Sequence, residues 1–404
     1  MPHNTDILIL GGGLAGLRAA WAAAQSAPKL RVSLATLRPV PSGSSFANAN
    51  GQLGMQLPQT DRERDQFFQE ILSLAEPGHI SRPLAEILVQ EAESRFLDLD
   101  SLGLRFQREA TGKLLRRTAC FSPHARAAIL YDLPHAYQRL CETVSTLGVD
   151  LLTGLETVSL LMDNGVARGA VLRKAGVGTK AHAMQDASME YRARAVVVAL
   201  GGPAARHPRH MAGPGSTGQG WELLQAAGAQ LNNTDFLQYF WLNVETRQFR
   251  SPAEIAGPLA VAMTPDGREV APSAKVLSLA DARSGHCPAA WGPVPHQGEL
   301  VHDYGMDQWL QAQANEKGVV RVKVDRNPWE QVALFVHSGN GGAVIGSHGE
   351  VHDLNNAPLP GLFACGECTT GMHGANRLGG AMVTATQVFG RRAGNAAARF
   401  ALGA

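Results

Sequence analysis

The chain is short of the features that mark secreted, membrane-spanning or nucleic-acid-binding proteins. It has five cysteines (Cys120, Cys141, Cys287, Cys365 and Cys368) among 404 residues. An odd count with no secretion signal predicts reduced thiols rather than disulfides. No stretch approaches the ~18 apolar residues of a membrane helix. The opening MPHNTDILILGGG lacks the charged segment and long apolar core of a targeting signal, so the cytoplasm is the expected compartment. Basic and acidic residues balance at 36 and 35, a net charge of +1, which leaves no electrostatic footprint for DNA, RNA or an anionic membrane. Internal repeats and low-complexity tracts are also missing. A composition 45% hydrophobic and 18% charged predicts a globular protein with a large core and one or two domains. Cys365 and Cys368 form a C-x-x-C in FACGECTT. A redox pair should follow a strand and open a helix, and a zinc site needs a second pair, so packing is the expected role and no metal is expected.

What is present begins with TDILILGGGLAGLRAAWAAAQ, which reads as a short buried strand, a tight turn and an alanine-rich helix. Gly11-x-Gly13-x-x-Gly16 at that turn lets the backbone approach a pyrophosphate, whose charge meets the unpaired N–H groups and positive end of the helix. The alternative is a glycine-rich turn in an unrelated α/β protein. A second strand, RVSLATL, ends at Thr36, where an acidic residue normally accepts the ribose hydroxyls of NAD. The ribose must be held otherwise, by backbone or by the loop RPVPSGSSFANANGQLGM. That loop is either a surface loop or a wrap of hydroxyls, amides and N–H groups around a pyrophosphate and flavin edge.

Residues 60–150 carry helical periodicity in DRERDQFFQEILSLAE, RPLAEILVQEAESRFLDLDSLG and ARAAILYDLPHAYQRLCETVSTLG. Strands with a turn at Asp163-Asn164-Gly165 follow, then a buried strand in YRARAVVVALGG and a helix in GSTGQGWELLQAAGAQLNN. From about 240 to 336 the chain gains proline, tryptophan and histidine and loses long helices, which predicts an inserted second domain. His286, His296, His302 and Arg283 lie there without metal-ligand spacing, and lone histidines are most often surface or satisfied residues.

Near the end, APLPGLFACGECTTGMHGANRLGGAMVTATQVFGRRAG resembles the C-terminal flavin-binding signature of the succinate dehydrogenase/fumarate reductase flavoprotein family, which includes L-aspartate oxidases. The resemblance is collinear. It takes in Gly11, the loop RPVPSGSSFANANGQLG, which is most like that of the L-aspartate oxidases, TGQGWELLQAAGAQLNNTDFLQY and NPWEQVALFVHSGNGGAVIGSHGEV. It implies an α/β fold: a Rossmann-like FAD-binding domain in two parts, 1–239 and 337–404, interrupted by an α+β capping domain at 240–336. It implies that Gly11, Gly13, Leu14, Ala15 and Gly16 surround the pyrophosphate, and that Ser44, Ser45, Asn50 and Gly51 line the flavin side. Glu367 would accept ribityl or ribose hydroxyls. Thr36, Leu37, Val158, Gly201, Gln219, Ala381, Met382 and Val383 would complete the FAD contacts. The last helix would start near Arg377 and aim its N-terminus at the flavin pyrimidine, its glycines letting cofactor and first sheet approach.

Departures from the family pattern shape the expected chemistry. Ser45 stands where covalent members have histidine, so FAD should be non-covalent. Gln219 replaces an aspartate, and Ala381-Met382-Val383 replaces Asn-Ser-Leu. Phe240 replaces a substrate-side histidine, and the proton-transfer arginine of the cap has no recognisable counterpart. Arg377 and His337 survive as substrate-side groups, suited to one carboxylate. Arg283, Arg268 or Tyr239 would be left to move a proton. Losing a proton donor harms reduction of a carbon–carbon double bond more than oxidation of a C–N bond; with Phe240 in place of a polar carboxylate contact, oxidation of an amine or of an amino acid whose side chain is less acidic than aspartate's is the expected reaction. Alternatives are a flavoprotein subunit that passes electrons to a partner protein, a fumarate-reductase-type enzyme, and a non-catalytic FAD-binding component.

Overall fold

The computed structural model describes residues 2–176, 188–280, 289–290 and 304–403. The chain opens with β1 (Ile7–Leu10), all four side chains buried, as expected of a strand covered on both faces. The turn at Gly11–Gly13 leads into α1 (Leu14–Ser26), and β2 (Val32–Thr36) follows. Next come β3 (Leu53–Gln56), α2 (Asp61–Ala75), α3 (Arg82–Ser101), β4 (Ala125–Leu130), α4 (Leu133–Thr146) and β5 (Asp150–Thr153). The hairpin of β6 (Leu155–Asp163) and β7 (Val166–Lys174) turns at Asn164 and Gly165, at φ 49° and 79°. Two positive-φ residues make the turn whose twist matches the strands it joins. Then follow β8 (Ala195–Val198), β9 (Leu237–Asn243), β10 (Ala260–Met263), β11 (Val319–Val324), β12 (Glu330–Gly339), β13 (Glu350–His352), β14 (Pro358–Ala364) and α5 (Ala381–Leu402).

Six strands form the central sheet in the order β13-β14-β8-β1-β2-β5, parallel except for β13. A second six-stranded sheet is antiparallel and runs from residues 269–270 through β10, β11, β12 and β9 to residues 289–290. In it β9 and β12 pair with a break in register. Gln238 faces Ser338 and Tyr239 faces Val336, so His337 is the extra residue of a bulge. Bulges re-aim side chains, and this one sets His337 apart from the regular ladder.

Three expectations change here. Residues 125–148 are not one helix: Ala125–Leu130 pairs antiparallel with β3, and the helix starts only at Leu133. Asp132 caps it by accepting the His135 N–H, and Pro134 lies in its first turn; ARAAIL alone is too short to declare a period. The last helix starts at Ala381, not near Arg377, because Gly380 at φ +81° breaks the path into it. Gly379 and Gly380, just before it, line the large cavity, whereas Gly390 and Gly394 within it face α1 rather than the cofactor site or the sheet. A Cβ at Gly390 would lie 3.0 Å from the Ala15 carbonyl oxygen, and one at Gly394 only 2.2 Å from that of Ala19.

Candidate functional site

A cavity of about 630 Å3 opens at the C-terminal ends of β1, β2 and β8 and extends to the near edge of the second sheet. This is where open parallel sheets bind ligands. At one end lie Gly11, Gly13, Leu14 and Ala15. Gly11 sits at φ +112°, and a Cβ there would stand 2.3 Å from the Ala199 oxygen, so only glycine closes this turn. A Cβ on Gly13 would meet nothing within 4 Å, so its backbone faces open space. Neither α1 nor α5 has a side-chain cap at its N-terminus. Both ends reach the cavity, through Leu14 and Ala15 and through Met382 and Val383. Uncapped N–H groups and the positive ends of two helix dipoles therefore converge on one space, which suits an anion.

Glu367 lies between the two ends, 4% exposed. Its carboxylate accepts the Ser44 hydroxyl on one oxygen and the Gly339 N–H at 3.0 Å on the other. Burial raises its pKa, against the pull of those bonds and of Arg377. Each oxygen keeps a further acceptor position for a ligand hydroxyl.

Arg377 is buried in the loop before α5 and hydrogen-bonded through Nε and Nη2 to neutral groups. Its Nη2 donates to Gln238 Oε1 at 2.8 Å and to the Ser338 hydroxyl, and its Nε to Asn340 Oδ1 at 3.3 Å. Gln238 Nε2 in turn donates to the Arg377 carbonyl at 2.8 Å. Burial lowers its pKa to about 10, with Glu367 opposing, so it stays cationic near neutrality. Beside it, His337 is half-buried at the cavity wall, and its Nδ1 is buried with no hydrogen-bond partner. Burial, with the Arg377 charge as a smaller contribution, lowers its pKa to about 3. Phe240 meets the imidazole edge-on at 4.9 Å.

A family model described as an FAD binding domain matches residues 6–383. The chain belongs to this family. It is 28% identical to a component of the fumarate reductase (CoM/CoB) of Methanothermobacter marburgensis, over 99% of this chain and 73% of that protein. It is also 28% identical to the L-aspartate oxidase of Halobacterium salinarum, over 98% of this chain and 76% of that protein. The structure of a quinol-fumarate reductase with menaquinol molecules superposes with a TM-score of 0.75 at 22% identity, covering 100% of this chain and 72% of that one. The protein is thus an FAD-dependent oxidoreductase of the succinate dehydrogenase/fumarate reductase flavoprotein family.

The geometry fits FAD. The open Gly13 backbone and the two bare helix ends suit a pyrophosphate and an electron-rich ring. Asn50 adds a buried side-chain oxygen without a partner at the cavity wall, an acceptor for a ring N–H. Of the other expected contacts, Thr36, Leu37, Ser44, Ser45, Gly201 and Gln219 line the cavity. Gly16, Gly51, Val158 and Ala381 do not. Gly16 serves the turn instead, since a Cβ there would sit 1.8 Å from the Gly11 oxygen, Ala381 is buried in the core, and Val158 is 40% exposed. Arg283, His286, His296 and His302 lie outside the described residues. Arg268 is exposed and paired with Asp266 at 2.8 Å, and Tyr239 packs against the second sheet's core. Cys365 and Cys368 are fully buried and unbridged, and burial raises both thiols.

Sequence reasoning missed Ser338, Asn340, Phe249 and Cys120. The first two flank His337 in VHSGNGG and could have been suspected as its supports. Phe249 and Cys120 carry no sequence signal and reach the cavity only through folding. Among the described residues no group of His, Cys, Asp and Glu could hold a metal ion, and no helix is long and apolar enough to cross a membrane.

Proposed function

We propose that this protein oxidises the C–N bond of an amine or amino acid that carries a carboxylate, with FAD held non-covalently. The observation that carries the reading is the pairing of one buried cation with one imidazole that stays neutral. Arg377 anchors the carboxylate by a charge-assisted contact in a dry site. His337, at about pKa 3, is a neutral hydrogen-bonding group that orients the substrate and cannot act as a cationic acid near pH 7. Among the described residues the same arrangement leaves a double-bond reduction no separate proton donor: Arg377 is committed to the substrate carboxylate, His337 is neutral, and Arg268 is paired and exposed. An amine that binds neutral needs no proton delivered to carbon. Phe240 and the packed second sheet exclude water from the anchor.

Bound FAD supplies the two-electron acceptor for the substrate hydride. Leu14, Ala15, Met382 and Val383 would hold it through backbone N–H groups and Glu367 through its free acceptor positions. Ser45, a hydroxyl in place of histidine, cannot form the histidyl linkage, so acid precipitation should leave the flavin in the supernatant.

The oxidised holoprotein, mixed without oxygen with a panel of amines and amino acids, should lose its visible flavin band and release ammonium and a carbonyl product in equal amounts. A panel in which no amine bleaches the flavin would overturn the reading. A second reading, electron delivery to a protein acceptor, draws on relatives named as subunits; reoxidation of the bleached protein by oxygen as fast as turnover would oppose it.

A further inference from the structure

The wall beyond Arg377 carries its own information. Gln238 and Phe240 lie two residues apart on β9, so their side chains leave the same face about 7 Å apart. Gln238 holds Arg377. Phe240, one strand repeat away, presents its ring to His337 at 4.9 Å and to Phe249 at 5.4 Å. Behind it stand Met211, Leu242, Ala333 and Phe335, a separate buried apolar cluster, so the wall is part of a packed core. Arg377 is the sole Arg or Lys among the described residues lining the cavity.

A short diacid anchored at Arg377 would carry its second carboxylate about one strand repeat along, into two phenylalanine rings and a neutral imidazole. An ion buried there without a partner is strongly disfavoured. An aryl or branched alkyl group in the same place gains apolar burial and edge-to-face ring contacts. We propose that the site selects monocarboxylates with an aromatic or apolar substituent, with Phe240 and Phe249 as its specificity-determining residues. This rests on the reading above that Arg377 anchors the substrate carboxylate, and it narrows the substrate class to amino acids with apolar or aromatic side chains.

The test uses redox-inert acids, so that binding is measured apart from turnover. The FAD-loaded protein is titrated with 3-phenylpropionate and with succinate, following the flavin spectrum and the heat of binding. 3-Phenylpropionate should bind at least about 30-fold more tightly. Phe240→Ala should weaken it about 10-fold and leave succinate unchanged; Phe240→His should narrow the gap. FAD content per chain is measured for each variant, with Phe240→Leu as the milder change if Phe240→Ala fails to fold. Equal or tighter binding of succinate, an equal loss for both acids in Phe240→Ala, or no binding of either acid would overturn the proposal. A clear preference for 3-phenylpropionate in a protein that no amine bleaches would overturn C–N oxidation and leave the specificity intact.

Discussion

Arg377 is a cation whose hydrogen bonds all go to neutral partners, Gln238, Ser338 and Asn340, while the acid opposing its pKa shift, Glu367, is engaged with Ser44 and Gly339. Such a charge is available to a ligand. Arg377→Ala should lower kcat/KM by about 2–4 kcal/mol with FAD content retained. Lost FAD with unchanged kinetics per bound flavin would assign Arg377 to the cofactor instead. His337 makes a pH prediction of definite sign. It is neutral in the folded protein down to about pH 3, whereas the unfolded chain takes up a proton below its ordinary 6.5. The unfolded state therefore binds more protons between these values, and stability present above 6.5 falls as pH falls toward 3. His337→Gln should flatten that acid limb in urea titrations at a series of pH values; an unchanged slope would contradict it. His373, buried with its pKa well below the ordinary value, acts in the same direction.

At the scale of elements, the close packing of α1 and α5 aligns the two helix ends that face the cavity. Gly394→Ala would drive a Cβ to 2.2 Å from the Ala19 carbonyl, a backbone atom that cannot turn aside. It should cost about 2–3 kcal/mol in the urea midpoint and weaken FAD binding; a neutral result would mean that the helices separate freely. The β1–turn–α1 unit was legible in the sequence because four consecutive apolar residues, spaced glycines and an alanine-rich run each point to one local structure. The hairpin at Asn164-Gly165 was legible for the same reason. Ala125–Leu130 was not, since a six-residue apolar run fits either period; it pairs with β3, some seventy residues earlier, and with Arg116–Thr118, too short and polar to read as a strand. The Arg377 clasp was only half legible. Gln238, Ser338 and Asn340 meet because β9 and β12 pair with one bulge, and strand register cannot be read from one chain. Phe249 reaches the wall only after the second sheet has formed.

For the whole molecule, the parallel sheet supplies a place for FAD at its C-terminal edge, and the antiparallel sheet brings Gln238, Phe240, His337 and Ser338 to the far side of the same cavity. Among the described residues the cavity holds one buried cation, a partly buried imidazole and an aromatic wall, and the proposed reading rests on that set. Its relatives include proteins named for fumarate reduction and for aspartate oxidation, so the direct discriminant is a reaction run from both sides. Dithionite-reduced protein is mixed with fumarate, and oxidised protein with apolar and aromatic amino acids, while flavin absorbance is followed without oxygen. Bleaching by an amino acid and no reoxidation by fumarate is the predicted result; rapid reoxidation by fumarate with no bleaching by any amino acid would contradict it.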